Sequence, residues 1–409
     1  MNFAPRRLLV LLVLALGWIA TSAGAQSPEE YRQRRQNVRA AMEPNSVLIL
    51  RSAERSEEGG FRQESNLYYL TGINEPNTFL ILYAERASAS PARGPVPGSR
   101  SGEVLFWAPP GSGRSDLQKP AERPGFSTVT PPGEFPAYLD RVLLGSAPVL
   151  YFDYARSRSL SVPLTSDEVL LKRARDRGAV FAMRPPADLV SPLRRIKSAA
   201  EIEILKVAAS ITAEALKETM RTARPGLYEY QLQSIIEHVF TFNGAPRPGF
   251  STIVGSGPNS CILHWSENTR QTVQGDLAVL DVGAEYRMYT ADITRTIPIG
   301  GTFTNRQRDV YEIVLQANKE AIAMVAPGVD MREINAKVNE VLSEGLIRLG
   351  LIKDMKELRR YYTHGLSHSI GLQVHDVGSL GTLETGMVIT IEPGLYIPDE
   401  GFGIRIEDD

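Results

Sequence analysis

The order of apolar and polar positions divides the chain near residue 190. Upstream, short apolar runs at residues 47–50, 66–70, 78–83, 103–107 and 149–152 alternate with turn-rich breaks, which predicts a mixed sheet with a few helices. Residues 87–102 are rich in Pro, Gly, Ser and Ala and predict a long mobile loop. Downstream the period changes. Ser198 followed by Glu201 forms a capping box, and Ile202, Leu205, Ala209 and Leu216 share one helical stripe. That helix stops at Arg224-Pro225-Gly226, and a second is expected over about 228–242. The same order returns later. Thr304 with Gln307 opens a helix that stops at Ala326-Pro327-Gly328, and Asp330 with Glu333 caps the next. Helix, Pro-Gly turn, helix and then strands thus occur twice, which predicts an internal duplication with an active site between the copies.

The strands after each helix pair carry acids. AVLDVGAEYRMYTADITRTI reads as a hairpin turning around Tyr286 and Arg287, which sets Asp281 opposite Asp292. MVITIEPGLYIPDEGFGIRIEDD reads as a second hairpin turning around Asp399 and Glu400, which sets Glu392 opposite Glu407. Directly opposed carboxylates on one sheet face repel, so a buried face of this kind needs positive charge in the gap. The same register pairs Met387 with a position near 412, beyond the last residue, so the final strand is expected to be cut short.

Four of the five histidines, His264, His364, His368 and His375, fall beside these hairpins, whereas His238 sits on the second helix as ordinary surface or core. The upstream half has none. The spacing of His364 and His368 resembles helical zinc sites, but Gly365 stands where those sites need glutamate, and Gly371 also opposes a helix. Carboxylates with one imidazole form a hard, oxygen-rich donor set, which favours Mn²⁺, with Co²⁺ or Zn²⁺ also compatible.

Composition narrows the classes. A length of 409 residues suits two domains, and the hydrophobic (43%) and charged (22%) fractions are those of a globular protein. A net charge of -2 gives no reason to expect nucleic acid as a partner. At the amino end Arg6 and Arg7 precede an apolar run at residues 8–20 and the small-residue motif Ala23-Gly24-Ala25. The run is shorter than the roughly 20 residues that a membrane-spanning helix needs. It reads as a secretory signal removed after Ala25, so residues 1–25 are excluded from the fold. The mature protein is then expected in the periplasm or outside the cell, without stable membrane insertion. Cys261 is the single cysteine, so no internal disulfide forms, and Ile262 and Leu263 beside it predict a buried core thiol.

The strings ILHW, LDVGAEY, TADITRT, HGLSHSIGLQVHD, TIEPGLY and GIRIED resemble those of the pita-bread metallopeptidases, in the branch acting on Xaa-Pro bonds. FRQESNLYYLTGINEPNTFLIL is similar to the N-terminal domain of proline aminopeptidases. One departure is clear. After residues 103–107 the family continues with a Trp-containing motif, where this chain has Ala108-Pro109-Pro110-Gly111. The resemblance implies an α/β (α+β) protein, with a mixed N-terminal domain over 26–189 and a pita-bread catalytic domain over 190–409. It implies metal ligands Asp281, Asp292, His368, Glu392 and Glu407 for two divalent ions, bridged by Asp292 and Glu407. His264, His375 and Arg405 match substrate-contact positions and His364 an accessory one. For each a plainer role stays open: packing on Trp265 for His264, charge neutralisation for Arg405, and a structural part for His364. The implied activity is removal of the first residue from peptides with proline second, by a homo-oligomer, through a hydroxide bridging the metals with Glu392 moving the proton. A dipeptidase confined to Xaa-Pro and a non-catalytic binding protein on the same fold are the alternatives.

Overall fold

The structure, a computed structural model, describes residues 26–53, 60–84, 102–108, 125–126, 129–145, 147–154 and 163–409. The expected signal, nearly all of the expected loop at 87–102, and Pro109 to Gly111 lie outside the described residues. Among the described residues no helix is long and apolar enough to cross a membrane.

The N-terminal elements are α1 (Pro28–Ala41), β1 (Val47–Arg51), α2 (Ser65–Thr71), β2 (Phe79–Tyr83), β3 (Glu103–Phe106) and β4 (Val129–Thr130). They continue with α3 (Phe135–Leu143), β5 (Val149–Phe152), α4 (Ser166–Asp176), β6 (Ala182–Arg184) and α5 (Ala187–Arg195). The six strands form one mixed sheet in the order β4-β3-β2-β1-β5-β6. Four of the five apolar runs are strands as expected. The fifth, at residues 66–70, is instead helical, in α2. All seven residues of α2 are buried, so no polar face marks its period, and a short apolar run cannot be told from a strand by pattern.

Two helix pairs follow, each covering a β-ribbon. The first is α6 (Ala199–Thr222) and α7 (Glu229–Phe242), leading to β7 (Arg247–Pro248) and β8 (Ile253–Ser256). The chain then forms β9 (Leu277–Val282), β10 (Ala284–Tyr286), β11 (Tyr289–Thr290) and β12 (Ile293–Pro298). The second pair is α8 (Asn305–Met324) and α9 (Met331–Arg348), followed by β13 (Gly394–Ile397) and β14 (Phe402–Arg405). The capping boxes at Ser198–Glu201 and Thr304–Gln307 are both formed. The stripe of α6 is rotated from the expected one. Leu205 and Leu216 are buried, but Ile202 and Ala209 are only half-buried, and Ile204, Ala208 and Ile211 take their place.

Each helix pair has its own core. Ile211, Leu232, Ile236 and Phe240 pack on Leu280, Val282, Ile293 and Ile297. Val314, Ile334, Val338 and Leu342 pack on Leu395, Ile397, Ile404 and Ile406. Strand side chains alternate between faces, so the residues interleaved with these apolar ones point away from both cores. Asp281, Asp292, Glu392 and Glu407 lie on that face, with Thr294, Tyr396 and Arg405 among them. The two polar ribbon faces therefore meet between the repeats.

Buried charge ties the N-terminal elements to this second half. Arg194, at the end of α5, pairs with Asp376 and donates to Asn66 Oδ1 at 2.7 Å, while Lys197 Nζ lies 3.3 Å from Asp376 Oδ2. Arg62 pairs with Glu285 and donates to the Leu372 carbonyl. Both contacts hold the loop that runs from Leu366 to Asp376.

Candidate active site

The expected facing of Asp281 and Asp292 needs correction. In β9 and β12 the partner of Asp281 is Thr294, and Ile293 faces Val282. The turn is at Arg287 and Met288, with φ of 49° and 72°, one position later than expected. Moving a two-residue turn by one position shifts pairing by two, so the acids stay on one face but become diagonal neighbours. Gly283 makes their approach possible, because a Cβ there would collide with the Ala291 carbonyl oxygen. The second hairpin has the expected register: Gly394 faces Arg405 and Ile391 bridges Asp408, so Glu392 stands opposite Glu407.

A cleft of about 520 Å³ collects Asp281, Asp292, His368, Glu392 and Glu407 with His264, His364, His375 and Arg405. All nine residues singled out from the sequence thus line one space. His238 is exposed on α7, outside it. Cys261 is half-buried beside an exposed Ile262, not a core thiol, because the turn carrying it lies at the surface.

Asp292, His368 and Glu407 offer donor atoms that all lie within 4.8 Å of one another. His368 Nε2 is 3.4 Å from Asp292 Oδ2, 3.6 Å from Glu392 Oε1 and 4.0 Å from Glu407 Oε1. Its Nδ1 lies 3.2 Å from the Ser369 carbonyl, which can only accept, so the proton belongs on Nδ1 and the Nε2 lone pair faces the carboxylates. Burial holds the His368 pKa below its ordinary value, which favours that neutral form. A lone pair turned toward three carboxylates is repulsive unless a cation lies between them. Two donors each about 2.1 Å from an ion sit about 3.0–3.5 Å apart, close to the observed separations.

The acids give the same answer. Asp281 Oδ1 and Asp292 Oδ1 are buried without a hydrogen-bond partner. An unpaired buried polar atom costs about 1–3 kcal/mol, more when charged. Burial, then repulsion by Glu407 and Asp281, pushes the Asp292 carboxyl well above its ordinary pKa. Burial, then Glu392 and Asp281, does the same to Glu407. Burial raises Glu392 from 4.5 to about 7. These residues fit divalent cations, which would fill the orphaned positions and restore the ionised forms.

The same shifts fix how the metal-free protein responds to pH. Raised carboxyl pKa values mean that the folded state holds protons the unfolded state has released. The stability that these carboxyls contribute is therefore fully present below about pH 4.5 and is lost as pH rises toward 7. Chelator-treated protein should unfold at a lower temperature at pH 8 than at pH 5, with added Mn²⁺ restoring the midpoint mainly at pH 8. A midpoint that climbs with pH in chelator would contradict this electrostatic account.

Three side chains not anticipated from the sequence complete the site. Tyr396 lies on the cleft face of β13, with its hydroxyl 2.8 Å from both Arg405 Nη1 and His364 Nε2. Since His364 Nδ1 is 2.7 Å from the Gly365 carbonyl, Nε2 is the acceptor, so Tyr396 donates to His364 and accepts from Arg405. Burial lowers the His364 pKa to about 4, which keeps the ring neutral. Arg405 also donates to Asp281 Oδ2 at 2.6 Å, so its guanidinium is spent within the site. Thr294 donates to Glu407 Oε2 at 2.6 Å, and Asp409 accepts from the Asp292 N–H at 3.0 Å. Parity could have revealed Thr294 and Tyr396, since each is two or four residues from a ligand-position acid on the same strand. Tyr396→Phe should lower kcat/KM about tenfold, with a loss of about 1–2 kcal/mol in unfolding free energy. Unchanged kinetics would exclude the relay from the reaction.

Residues 203–409 match the model of metallopeptidase family M24, and residues 31–109 match that of the aminopeptidase P N-terminal domain. The chain is 36% identical to the Xaa-Pro aminopeptidase of Escherichia coli, over 94% of this chain and 92% of that one.

The chain belongs to metallopeptidase family M24.

This M24 enzyme is also 34% identical to the Xaa-Pro aminopeptidase of Haemophilus influenzae, with 93% of this chain and 91% of the other covered. A solved histidine-to-alanine variant of Escherichia coli aminopeptidase P superimposes with a TM-score of 0.80 at 34% identity, covering 94% of this chain and 92% of that one. The M24 chain therefore has the pita-bread fold and the aminopeptidase P type of N-terminal domain, and it is a metal-dependent peptidase.

Proposed function

We propose that this peptidase is a two-metal aminopeptidase that cuts the bond between a peptide's first residue and a proline in second position. The observation that carries the reading is the His368 Nε2 lone pair aimed at three carboxylates, with two orphaned carboxylate oxygens beside it. Asp281, Asp292, His368, Glu392 and Glu407 would hold the ions. When bound, divalent cations supply Lewis acidity, lowering the pKa of water toward neutrality and polarising the scissile carbonyl.

The remaining work falls to side chains. Glu392 takes the proton of the attacking water and returns it to the departing proline nitrogen, a role suited to a carboxyl whose pKa lies near 7 before cations bind. His364 Nδ1, bonded to the Gly365 carbonyl, lies 3.5 Å from Glu392 Oε2 and packs beside it. His375, exposed in the cleft with its ring 4.4 Å from that of His368, donates to the tetrahedral oxyanion. His264 binds the carbonyl of the proline residue. Arg405 holds Asp281, which leaves Asp281 ready to meet the substrate's free amine. The Xaa-Pro bond is a tertiary amide without N–H, so a site that asks for no donor there accepts what general aminopeptidases reject.

Full-length matches to two Xaa-Pro aminopeptidases and the N-terminal domain match support peptides longer than two residues. With Mn²⁺ supplied, kcat/KM for an Xaa-Pro-Xaa tripeptide should exceed that for the Xaa-Pro dipeptide by about tenfold or more. A preference for the dipeptide would make the enzyme a dipeptidase. Inertness toward both would defeat the reading.

A further inference from the structure

We propose that Glu229 is a positioning residue for His264, acting through Trp265; the inference rests on His264 meeting substrate as described above. His264 sits in a stretch between the short turn Gly257–Cys261 and β9 with no regular secondary structure, so no sheet or helix ladder fixes its ring. Asn268, bonded to Val254, Thr252 and Gln233, holds the far part of this stretch, and a fully buried carboxylate at the first residue of α7 holds the part beside His264.

Glu229 Oε1 accepts from the Ser256 N–H and hydroxyl, both at 2.7 Å, and from Asn259 Nδ2 at 3.1 Å. Its Oε2 accepts from Trp265 Nε1 at 2.8 Å and the Arg270 N–H at 2.9 Å. The end of β8, the following turn and the His264 stretch thus converge on a single side chain. The backbone adds to the attachment, since the Glu229 N–H donates to the Arg270 carbonyl at 2.9 Å and the Tyr230 N–H to Asn268 at 2.7 Å. Arg270 reaches the same hydroxyl: its Nη1 donates to Ser256 Oγ at 2.8 Å and to Asp276 at 2.6 Å.

A surface acid at a helix N-terminus needs no more explanation than the helix dipole. This one is buried and fully hydrogen-bonded, and one of its attachments is the indole next to His264. Buried polar networks that are fully satisfied impose one geometry on what they touch. The neighbouring Leu263 carbonyl also lies 3.4 Å from Arg405 Nη2, so the same stretch borders the cleft's cationic wall. None of the Glu229 contacts involves a metal-ligand position, which separates this anchoring from the metal site.

The test uses full-length protein loaded with Mn²⁺ and two variants. Trp265→Phe removes one donor and keeps an aromatic ring, and Glu229→Gln replaces an acceptor by a donor. Expected results are an unchanged metal content, kcat/KM for the tripeptide down about tenfold for Trp265→Phe, and a larger loss for Glu229→Gln. In a His264→Ala background Trp265→Phe should cost less than about twofold, because it acts through the missing ring. An undiminished loss in that background, or none in the parent, overturns the proposal. Hydrogen exchange supplies a readout without catalysis: amides of residues 262–270 should exchange faster in Trp265→Phe. If the parent cleaves no Xaa-Pro peptide, the functional reading fails, and exchange rates unchanged by Trp265→Phe would then overturn the anchoring as well.

Discussion

Asp292→Ala is expected to abolish hydrolysis, with kcat/KM down about a thousandfold or more and bound metal reduced below the parent's content. Asp292 lies within 3.4 Å of His368 Nε2, and its Oδ1 is one of the two orphaned buried carboxylate oxygens of the cleft. Alanine removes both donors and leaves the donor group with only Glu407, itself buried and pushed toward protonation, and His368. The apo variant should be no less stable than the apo parent, since one of several mutually repelling acids is gone. Metal analysis, kinetics and thermal unfolding with and without chelator separate these effects. Full activity and the parent's metal content would show that Asp292 holds none.

Glu392→Gln should behave differently. The amide keeps one oxygen donor but cannot take up a proton, so kcat should fall about 10²–10⁴-fold while KM changes little. Glu392 stands at the edge of the donor set, 3.6 Å from His368 Nε2 and 3.5 Å from His364 Nδ1, so at least one ion should remain bound. The rising limb of the pH–kcat profile should flatten, because the group that must be ionised is absent. Metal content near the parent's with kcat within threefold would remove Glu392 from the proton path.

Much of this site could be read from the chain because strand parity is robust. Each ribbon places acids on the face opposite its apolar residues, and an error in the turn position moves pairing in steps of two. That is why Asp281 and Asp292 stay neighbours although Thr294, not Asp292, faces Asp281. The second ribbon turns at Pro398–Glu400 with Gly401 in the left-handed region, a recognisable signal, and its register follows directly. The first turns at Arg287 and Met288, two residues rarely left-handed, and nothing in their chemistry announces the turn. Burial without period hid α2, whose seven residues are all enclosed. The cap at Glu229 carried no mark of burial either, since an acid in the first turn of a helix is ordinary on a surface. Tyr396 and Thr294 were within reach of the parity argument but are uncharged, and charge was the feature followed.

The buried pairing of Arg194 and Lys197 with Asp376 bears on where this molecule could be divided. The M24 match begins at residue 203, downstream of both cations. A piece cut at that boundary would retain Asp376, next to His375, and lose the positive charges that allow its enclosure. Stranding one member of such a pair costs about 3–5 kcal/mol, a large share of the stability of an ordinary domain. The seam suggested by likeness among sequences is therefore not one along which the protein comes apart, and the histidine loop depends on a short stretch of chain that the M24 match leaves out.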